Sequence, residues 1–447
     1  MSTTRREFIR KSALGAAALS FGGYMGRPNA ARYAAIPGAN DRIRVAVIGV
    51  NSRGLALGGN FAKQPRCEVT YVCDPDSRAM EKFTDAIEKI TGAKPRSEKD
   101  FRKALESKDV DAVVIATPDH WHAPAAMLAM KAGKDVYLEK PCSYVPAEGE
   151  MLVKGAEKYR RVMQMGNQRR SWPNVIEGIE AVRNGEIGNV HFGKSWYVNN
   201  RKPIGIGKVT AVPDWLDWDL WQGPAPRTEY KDNIVHYNWH WFWRWGTGEA
   251  LNNGTHMIDL LRWGMKLDYP TKVTSNGGRY YAKDDWETPD TQIINIEFGN
   301  KAFMTWEGRS CNNTPIEGSW AGCAIYGDKG SILFGSGNEY TIYGTDGKVL
   351  RKQESALAID PQNKMNPSES LDALHINNFF DAILKSEKLR SDILSGHKST
   401  LLMQLGNIAL RTGHILNIKE ADGHILGDSE AAKLWTRAYE KNWEMKL

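Results

Sequence analysis

Ile43-Arg-Val-Ala-Val-Ile48 followed by Gly49-Val-Asn-Ser-Arg-Gly54 reads as an apolar strand running into a glycine turn, and Asp74 closes the next apolar run, Val69–Cys73. A strand, a tight turn, a helix start and an acidic residue about 20 positions on are the parts of a dinucleotide site. Glycine serves where the chain bends sharply and where helix packs on strand, and the free amides at the helix start hold a pyrophosphate. Gly49 and Gly54 fill the first and third glycine positions, and Asn51 stands at the second. Asparagine tolerates left-handed backbone better than most residues, so the turn survives. Asn51, Ser52 and Arg53 join the two glycines as candidate phosphate contacts. Asp74 is placed to accept from the ribose hydroxyls and to repel a 2′-phosphate, favouring NAD over NADP; Arg78 tempers that preference.

Outward from the turn, residues 43 to 166 alternate apolar runs (Ala112–Ala116, Val136–Leu138, Val162–Met165) with amphipathic stretches (Arg78–Thr91, Asp100–Glu106). That alternation predicts an α/β Rossmann domain over residues 39–166, a parallel sheet with right-handed crossovers. From about Arg169 the period becomes two, in Val190–Val198, Lys272–Tyr281, Thr291–Phe298, Ala302–Arg309, Gly322–Tyr326, Ser331–Phe334 and Tyr340–Tyr343. Turn pairs such as Asn276-Gly277, Gly299-Asn300, Gly327-Asp328 and Asp346-Gly347 separate them. The expectation is a second, α+β domain over 167–447 with a large, mostly antiparallel open sheet. A loop at 354–368 precedes helical periodicity at Ser370–Lys385 and Lys398–Asn417.

Thr4-Arg5-Arg6-Glu7-Phe8-Ile9-Arg10 before a small-residue apolar run, Ser12 to Met25, reads as a twin-arginine export signal with a linker, residues 1–38. The run is too short for a stable membrane span. Pro28-Asn29-Ala30 lacks a small residue at the −3 position, which leaves cleavage and a membrane tether both open. The expected location is the periplasm, reached in the folded state. The 447 residues carry a net charge of +6, part of it in this leader, so nucleic acid is a poor partner. Cysteines 67, 73, 142, 311 and 323 form no CxxC pair and read as structural.

Three further strings follow in order: Ala116-Thr-Pro-Asp-His-Trp-His122, Glu139-Lys140-Pro141 and Gly248-Glu-Ala-Leu-Asn-Asn-Gly-Thr-His256-Met-Ile-Asp259. With the glycine turn, they resemble the glucose–fructose oxidoreductase, inositol dehydrogenase and rhizopine catabolism (Gfo/Idh/MocA) family. The resemblance runs from Arg42 to the C-terminus and includes Gly396-His397 and Leu401–Arg411. It implies hydride exchange between NAD and a sugar or polyol carbon, and a homo-oligomer (dimer or tetramer) built on the open sheet. It implies that Lys140 binds the reacting hydroxyl and the cofactor, that His256 is the catalytic histidine, and that Thr117, Pro118, His120 and Glu139 border the cofactor. A partly desolvated lysine and an imidazole suit that proton transfer. Asp119 and His122 flank His120 with weaker claims.

Many inositol-dehydrogenase-like members carry aspartate four residues before this histidine, where this chain has Asn252, which cannot accept a proton. Asp259, one helical turn after His256, either orients the imidazole in its place or faces away. His236 and His240 have i, i+4 spacing, but no third ligand accompanies them, and no metal is expected. Seven tryptophans (215, 218, 221, 239, 241, 243, 245) precede the histidine motif. They read as core and interface residues or as a stacking platform for sugar C–H faces; Trp241, His240, Arg169 and Asn199 are candidate sugar contacts. An exported NAD enzyme is cut off from the cytoplasmic cofactor pool. Tightly bound NAD, regenerated in place, is therefore expected, by transhydrogenation between sugars or by a redox-neutral cycle of oxidation and elimination or epimerisation. An NAD-dependent glycosidase is the alternative enzyme, and a sugar-binding relative without turnover, kept open by Asn252, is the non-enzyme alternative.

Overall fold

The computed structural model describes residues 42–355 and 369–447. The twin-arginine segment and linker, and most of the loop expected at 354–368, lie outside the described residues. The first sheet holds β1 (Ile43–Ile48), β2 (Cys67–Cys73), β3 (Arg96–Glu98), β4 (Ala112–Ile115), β5 (Asp135–Leu138) and β6 (Met163–Met165) in the order β3-β2-β1-β4-β5-β6, every pair parallel. This is the doubly wound order, whose ligand crevice lies beyond the carboxyl ends of β1 and β4. Strands β4 and β5 are buried along their whole length, as a sheet covered by helices on both faces requires. The helix Ser77–Thr91 begins at Asp76, whose carboxylate accepts from the amides of Arg78 and Ala79, and it stops at left-handed Gly92.

The second sheet holds β7 (Val190–Val198), β8 (Lys272–Gly278), β9 (Thr291–Glu297), β10 (Phe303–Arg309), β11 (Ala321–Gly327), β12 (Gly330–Phe334), β13 (Tyr340–Gly344), β14 (Val349–Gln353), β15 (Leu416–Ile418) and β16 (Ile425–Leu426). Their order is β14-β13-β12-β11-β7-β10-β9-β8-β15-β16, antiparallel except where β7 pairs with β10. Asn276-Gly277 is not a turn: both residues lie in β8, opposite Ile293 and Gln292. A Cβ on Gly277 would run into the Thr291 carbonyl, so the glycine serves close strand approach. Strands β3 and β14 are largely exposed and polar, which hides them from a reading based on apolar alternation.

Two of the last helices tie the two sheets together. Helix Ile393–Thr412 is buried on nearly every side and lies between the helices Pro146–Tyr159 and Thr255–Gly264 and strand β8. Helix Glu369–Lys385 instead returns to the Rossmann domain: Phe380 meets Phe61 edge-on at 5.6 Å and Phe379 meets Tyr137 at 5.8 Å. The first domain's core is thus completed from the far end of the chain. Among the described residues, no helix is long and apolar enough to cross a membrane. Because Phe380 is fully buried, Phe380→Ala is expected to cost about 3–5 kcal/mol. The check is the first thermal or denaturant transition of the full chain; a change under about 1 kcal/mol would mean that this helix does not belong to the Rossmann core.

Candidate active site

The glycine turn brings its residues to the mouth of the crevice. Gly49 takes φ of 79°, a left-handed value, with its Cα against the Ala116–Thr117 peptide. A Cβ on Gly54 would collide with the Gly49 carbonyl, so helix and strand close as a dinucleotide turn demands. Asp74, at the end of β2, accepts from the Val50 amide (2.8 Å) and the Asp76 amide (2.9 Å). Burial lifts its carboxyl to about 6, and those two amides and His236 oppose the rise, so it is ionised at neutral pH. These features fit the pyrophosphate and ribose of NAD.

A cavity of about 380 Å³ runs from this turn to the helix that carries His256. Gly49, Asn51, Ser52, Arg53, Asp74, Thr117, Pro118, Glu139 and Lys140 line it, together with Arg169, His240, Asn252 and His256. Two protein ends therefore meet at one space. Arg53 is clamped by Glu139 (2.8 Å) and Asp372 (2.8 Å), and Glu139 also accepts from the Lys140 amide (3.2 Å). Burial alone would raise the Glu139 carboxyl, but Arg53 and Lys140 hold it below its ordinary value. The Lys140 ammonium donates to the Asn252 carbonyl at 2.5 Å. Burial lowers its pKa, opposed by Glu139 and Asp119.

Asn252 and Asn253 sit in a π-helical turn, Ala250–Gly254, that runs into helix Thr255–Gly264. Such widened turns recur at functional sites. Glu249, inside the motif but unremarked in the sequence, anchors it. Its carboxylate takes Arg201 (2.6 Å) and the side-chain amides of Asn252 (3.4 Å) and Asn253. Asparagine is apt at 252 because an aspartate there would set a second carboxylate against Glu249. Neither ring nitrogen of His256 has a hydrogen bond among the described residues, and Nδ1 is buried. Burial first, then the charges of Lys140, Arg169 and Arg53, push its pKa well below 6.5. It is a neutral imidazole beside a lysine.

Several expected contacts lie elsewhere. Asp259 does not touch His256: its carboxylate is taken by Arg170 (2.7 Å to each oxygen) and Ser399 (2.6 Å). Trp241 is buried, stacked on Trp286 at 4.1 Å and under Arg201, away from the cavity wall. His120 points from the cavity to the Trp221 carbonyl (3.2 Å), and its neighbours Asp119 and His122 line the wall instead. Arg78 is committed to Asp76 and to the face of Trp215. Asn199 donates to Tyr197 (2.6 Å). Of the tryptophan cluster, Trp218, Trp221 and Trp245 pack into a small core of their own, and Trp221 and Trp239 also face the cavity. His236 donates to Asp76 (2.7 Å), and His240 faces the cavity from the Tyr237 carbonyl (2.6 Å).

Residues 43–167 match a family model described as an oxidoreductase family with an NAD-binding Rossmann fold, and residues 204–414 match one described as the C-terminal α/β domain of the same oxidoreductases. A glycosyl hydrolase family 109 protein of Saccharopolyspora erythraea is 31% identical over 253 residues, 51% of this chain and 55% of that protein. The chain thus spans about half the length of the curated relatives it matches. In structure it resembles levoglucosan dehydrogenase in complex with NADH (TM-score 0.64, 17% identity, 85% of this chain and 100% of that one). It also resembles the WlbA dehydrogenase from Bordetella pertussis in complex with NADH and UDP-GlcNAcA (TM-score 0.62, 18% identity, 85% and 99%). At these identities the structural likeness establishes the fold.

The depressed His256 gives a direct expectation. The ring is protonated only below 6.5 and is neutral above its lowered pKa. In an NMR pH titration its C–H resonance should move only on the acid side of 6.5. Lys140→Met should raise that midpoint without restoring 6.5, because burial, the larger cause, persists. A wild-type midpoint at or above 6.5 would sink this description of the site.

Proposed function

The chain belongs to the Gfo/Idh/MocA oxidoreductase family, with NAD as its cofactor, and from that premise we propose that it oxidises a carbinol carbon of a sugar, glycoside or sugar derivative. The observation that carries the proposal is the single cavity in which the dinucleotide turn, Lys140 and His256 face one another. When bound, NAD supplies the acceptor for the hydride that leaves the carbinol carbon. Lys140 donates a hydrogen bond to the reacting hydroxyl and stabilises the developing alkoxide. His256, neutral at physiological pH, takes the hydroxyl proton. Asn252 holds Lys140 through its carbonyl, and Trp239 and Trp221 offer ring surface for the sugar's C–H face.

Retention of the cofactor is part of the proposal. The segment around Trp215 straps onto the end of β2 beside Asp74: Asp217 donates to the Pro75 carbonyl (3.0 Å), Ser77 to the Trp215 carbonyl (2.9 Å), and His236 to Asp76. A nucleotide under that strap leaves only when the strap lifts, which suits export of a folded enzyme by the twin-arginine route to the periplasm. A redox-neutral second reading, glycoside cleavage by oxidation and elimination, draws support from the glycosyl hydrolase family 109 relatives and from His240. Its Nδ1–H donates to the Tyr237 carbonyl, so Nε2 is left as a free acceptor on the cavity wall, and burial keeps the ring neutral down to about 3. That provides a second base for removing a C–H proton next to the ketone.

Native mass spectrometry of the purified full chain is expected to show one bound NAD per chain, and sugars or glycosides to change its reduction state. His256→Ala and Lys140→Met should each lower turnover by about 10²–10⁴-fold while the nucleotide stays bound. Release of free sugar with no net NADH marks the redox-neutral reading; lasting NADH marks simple dehydrogenation. Protein that arrives without nucleotide and works only with added NAD rules out the retained cofactor.

A further inference from the structure

The positive side chains on the cavity wall are not equivalent. Arg53 has two carboxylate partners, and Lys140 sits beside Glu139 and Asp119. Arg169 has no ion pair among the described residues. Its Nη2 donates to the Ser336 carbonyl at 2.6 Å and its Nη1 reaches the Gly337 carbonyl at 3.5 Å, both neutral acceptors in the turn after β12. Its guanidinium lies 4.6 Å from the Trp172 ring centre, and its Nε has no hydrogen bond among the described residues. Glu339, the one carboxylate whose charge bears on its pKa, accepts from the Gly337 amide (2.9 Å). The residue is 8% exposed, and that surface faces the cavity. Burial lowers the guanidinium to about 10, which leaves it charged at neutral pH.

A buried charge without a counter-charge is costly, and proteins keep one where a ligand supplies the opposite sign. Its neighbour gives a second, independent sign of a ligand. Gln168 is 5% exposed, lines the same cavity, and its Oε1 is buried without a partner. An acceptor left open beside an unpaired cation matches a ligand that brings a hydroxyl next to an acid. Arg169 and His256 line the same cavity, and the charge of Arg169 is one of those that lower the imidazole's pKa.

We propose that the substrate carries an anionic oxygen group, foremost a carboxylate, which Arg169 binds through Nε and the second hydrogen of Nη2 beside the carbon being oxidised, with Gln168 accepting from an adjacent hydroxyl. The side of the guanidinium left open by the Ser336 and Gly337 carbonyls presents two parallel N–H groups, the geometry that matches a carboxylate. This rests on the reading of the cavity as a sugar oxidoreductase site and names the class within it: sugar acids over neutral sugars.

The test uses the full chain with its bound NAD. D-glucuronate, D-galacturonate and D-mannuronate are each compared with their neutral hexoses and with the hexose 6-sulfates, by tryptophan fluorescence and by the absorbance of the reduced cofactor. At least one acid is expected to exceed its neutral partner by about 10-fold or more in affinity or kcat/KM. Arg169→Gln should bring that ratio to near one, and Arg169→Lys should restore part of it. A purely structural role at the Ser336–Gly337 turn predicts no such rescue of the ratio. A sulfate that outdoes the carboxylate in an Arg169-dependent way supports the anion site and identifies the group as a sulfate ester. Neutral hexoses equal to or better than every acid, or a ratio unchanged in Arg169→Gln, overturn the anion site alone. If no sugar of either kind binds or reduces the cofactor, the sugar oxidoreductase reading falls, and the anion site with it.

Discussion

A single guanidinium holds the working end of this protein together. Arg53 opens the helix after the glycine turn, and its charge is shared between Glu139, at the end of β5, and Asp372, 319 residues away on helix Glu369–Lys385. The Asp372 side chain is almost wholly buried and that of Glu139 nearly so, and Arg53 is the cation that both carboxylates share, with Asn60 also donating to Asp372 and the Lys140 amide to Glu139. The contact joins the cofactor turn, the strand that delivers Lys140, and the helix that completes the Rossmann core. A buried pair of this kind adds little net stability against an apolar substitute, yet breaking it by removing one partner costs about 3–5 kcal/mol. Its value lies in register: it sets where Lys140 stands relative to the nucleotide turn.

The chemistry of the cavity follows from the same crowding of charge. Lys140, Arg53 and Arg169 all bear on His256, and with burial they keep the imidazole neutral. On the proposed reading, a neutral imidazole beside a lysine divides the labour of alcohol oxidation: the lysine would polarise the hydroxyl and the histidine would take its proton. Glu249 supplies the missing negative charge from behind. With Arg201 paired to it and two asparagine amides donating to it, the carboxylate fixes the π-helical turn without competing for the substrate proton.

Much of this was legible because it is local. The glycine turn, Asp74, the Lys140-Pro141 dipeptide and the His256 motif are short strings whose spacing is set by backbone geometry, and all of them line the cavity or build its turn. Side-chain direction is not local, because tertiary packing decides it: of the two directions open to Asp259, the structure has the one that faces away. Asp259 lies one turn from His256 along the helix, but a buried arginine at position 170 claims it. His120 and His122 are two residues apart and point to different partners, and only the structure shows that His122 is the one on the wall. Trp241 and Trp239, both equally aromatic, part in the same way. Asp372 carries no local signature, because its role exists only once a remote helix packs against Phe61.

On the proposed reading, the location of the enzyme and the architecture of its site argue for one another. The strap hydrogen-bonded across Pro75, Asp76 and Ser77 would slow nucleotide exchange, and an enzyme exported as proposed would have no pool to exchange with. The hydride taken from one carbon then has two destinations, a second substrate or the same substrate later in the cycle. The second needs a base for the acidified C–H as well as one for the hydroxyl. Of the four histidines on the cavity wall, His122 is held by the Pro141 and Thr117 carbonyls and His236 by Asp76, while His256 beside Lys140 and His240 stacked on Trp239 at 3.6 Å each keep a ring nitrogen without a hydrogen bond among the described residues. Burial holds both rings neutral at physiological pH, so neither has to lose a proton before it accepts one, and it also makes each a weak base. On the redox-neutral reading proposed above, the second imidazole has a task that a one-way oxidation would not give it.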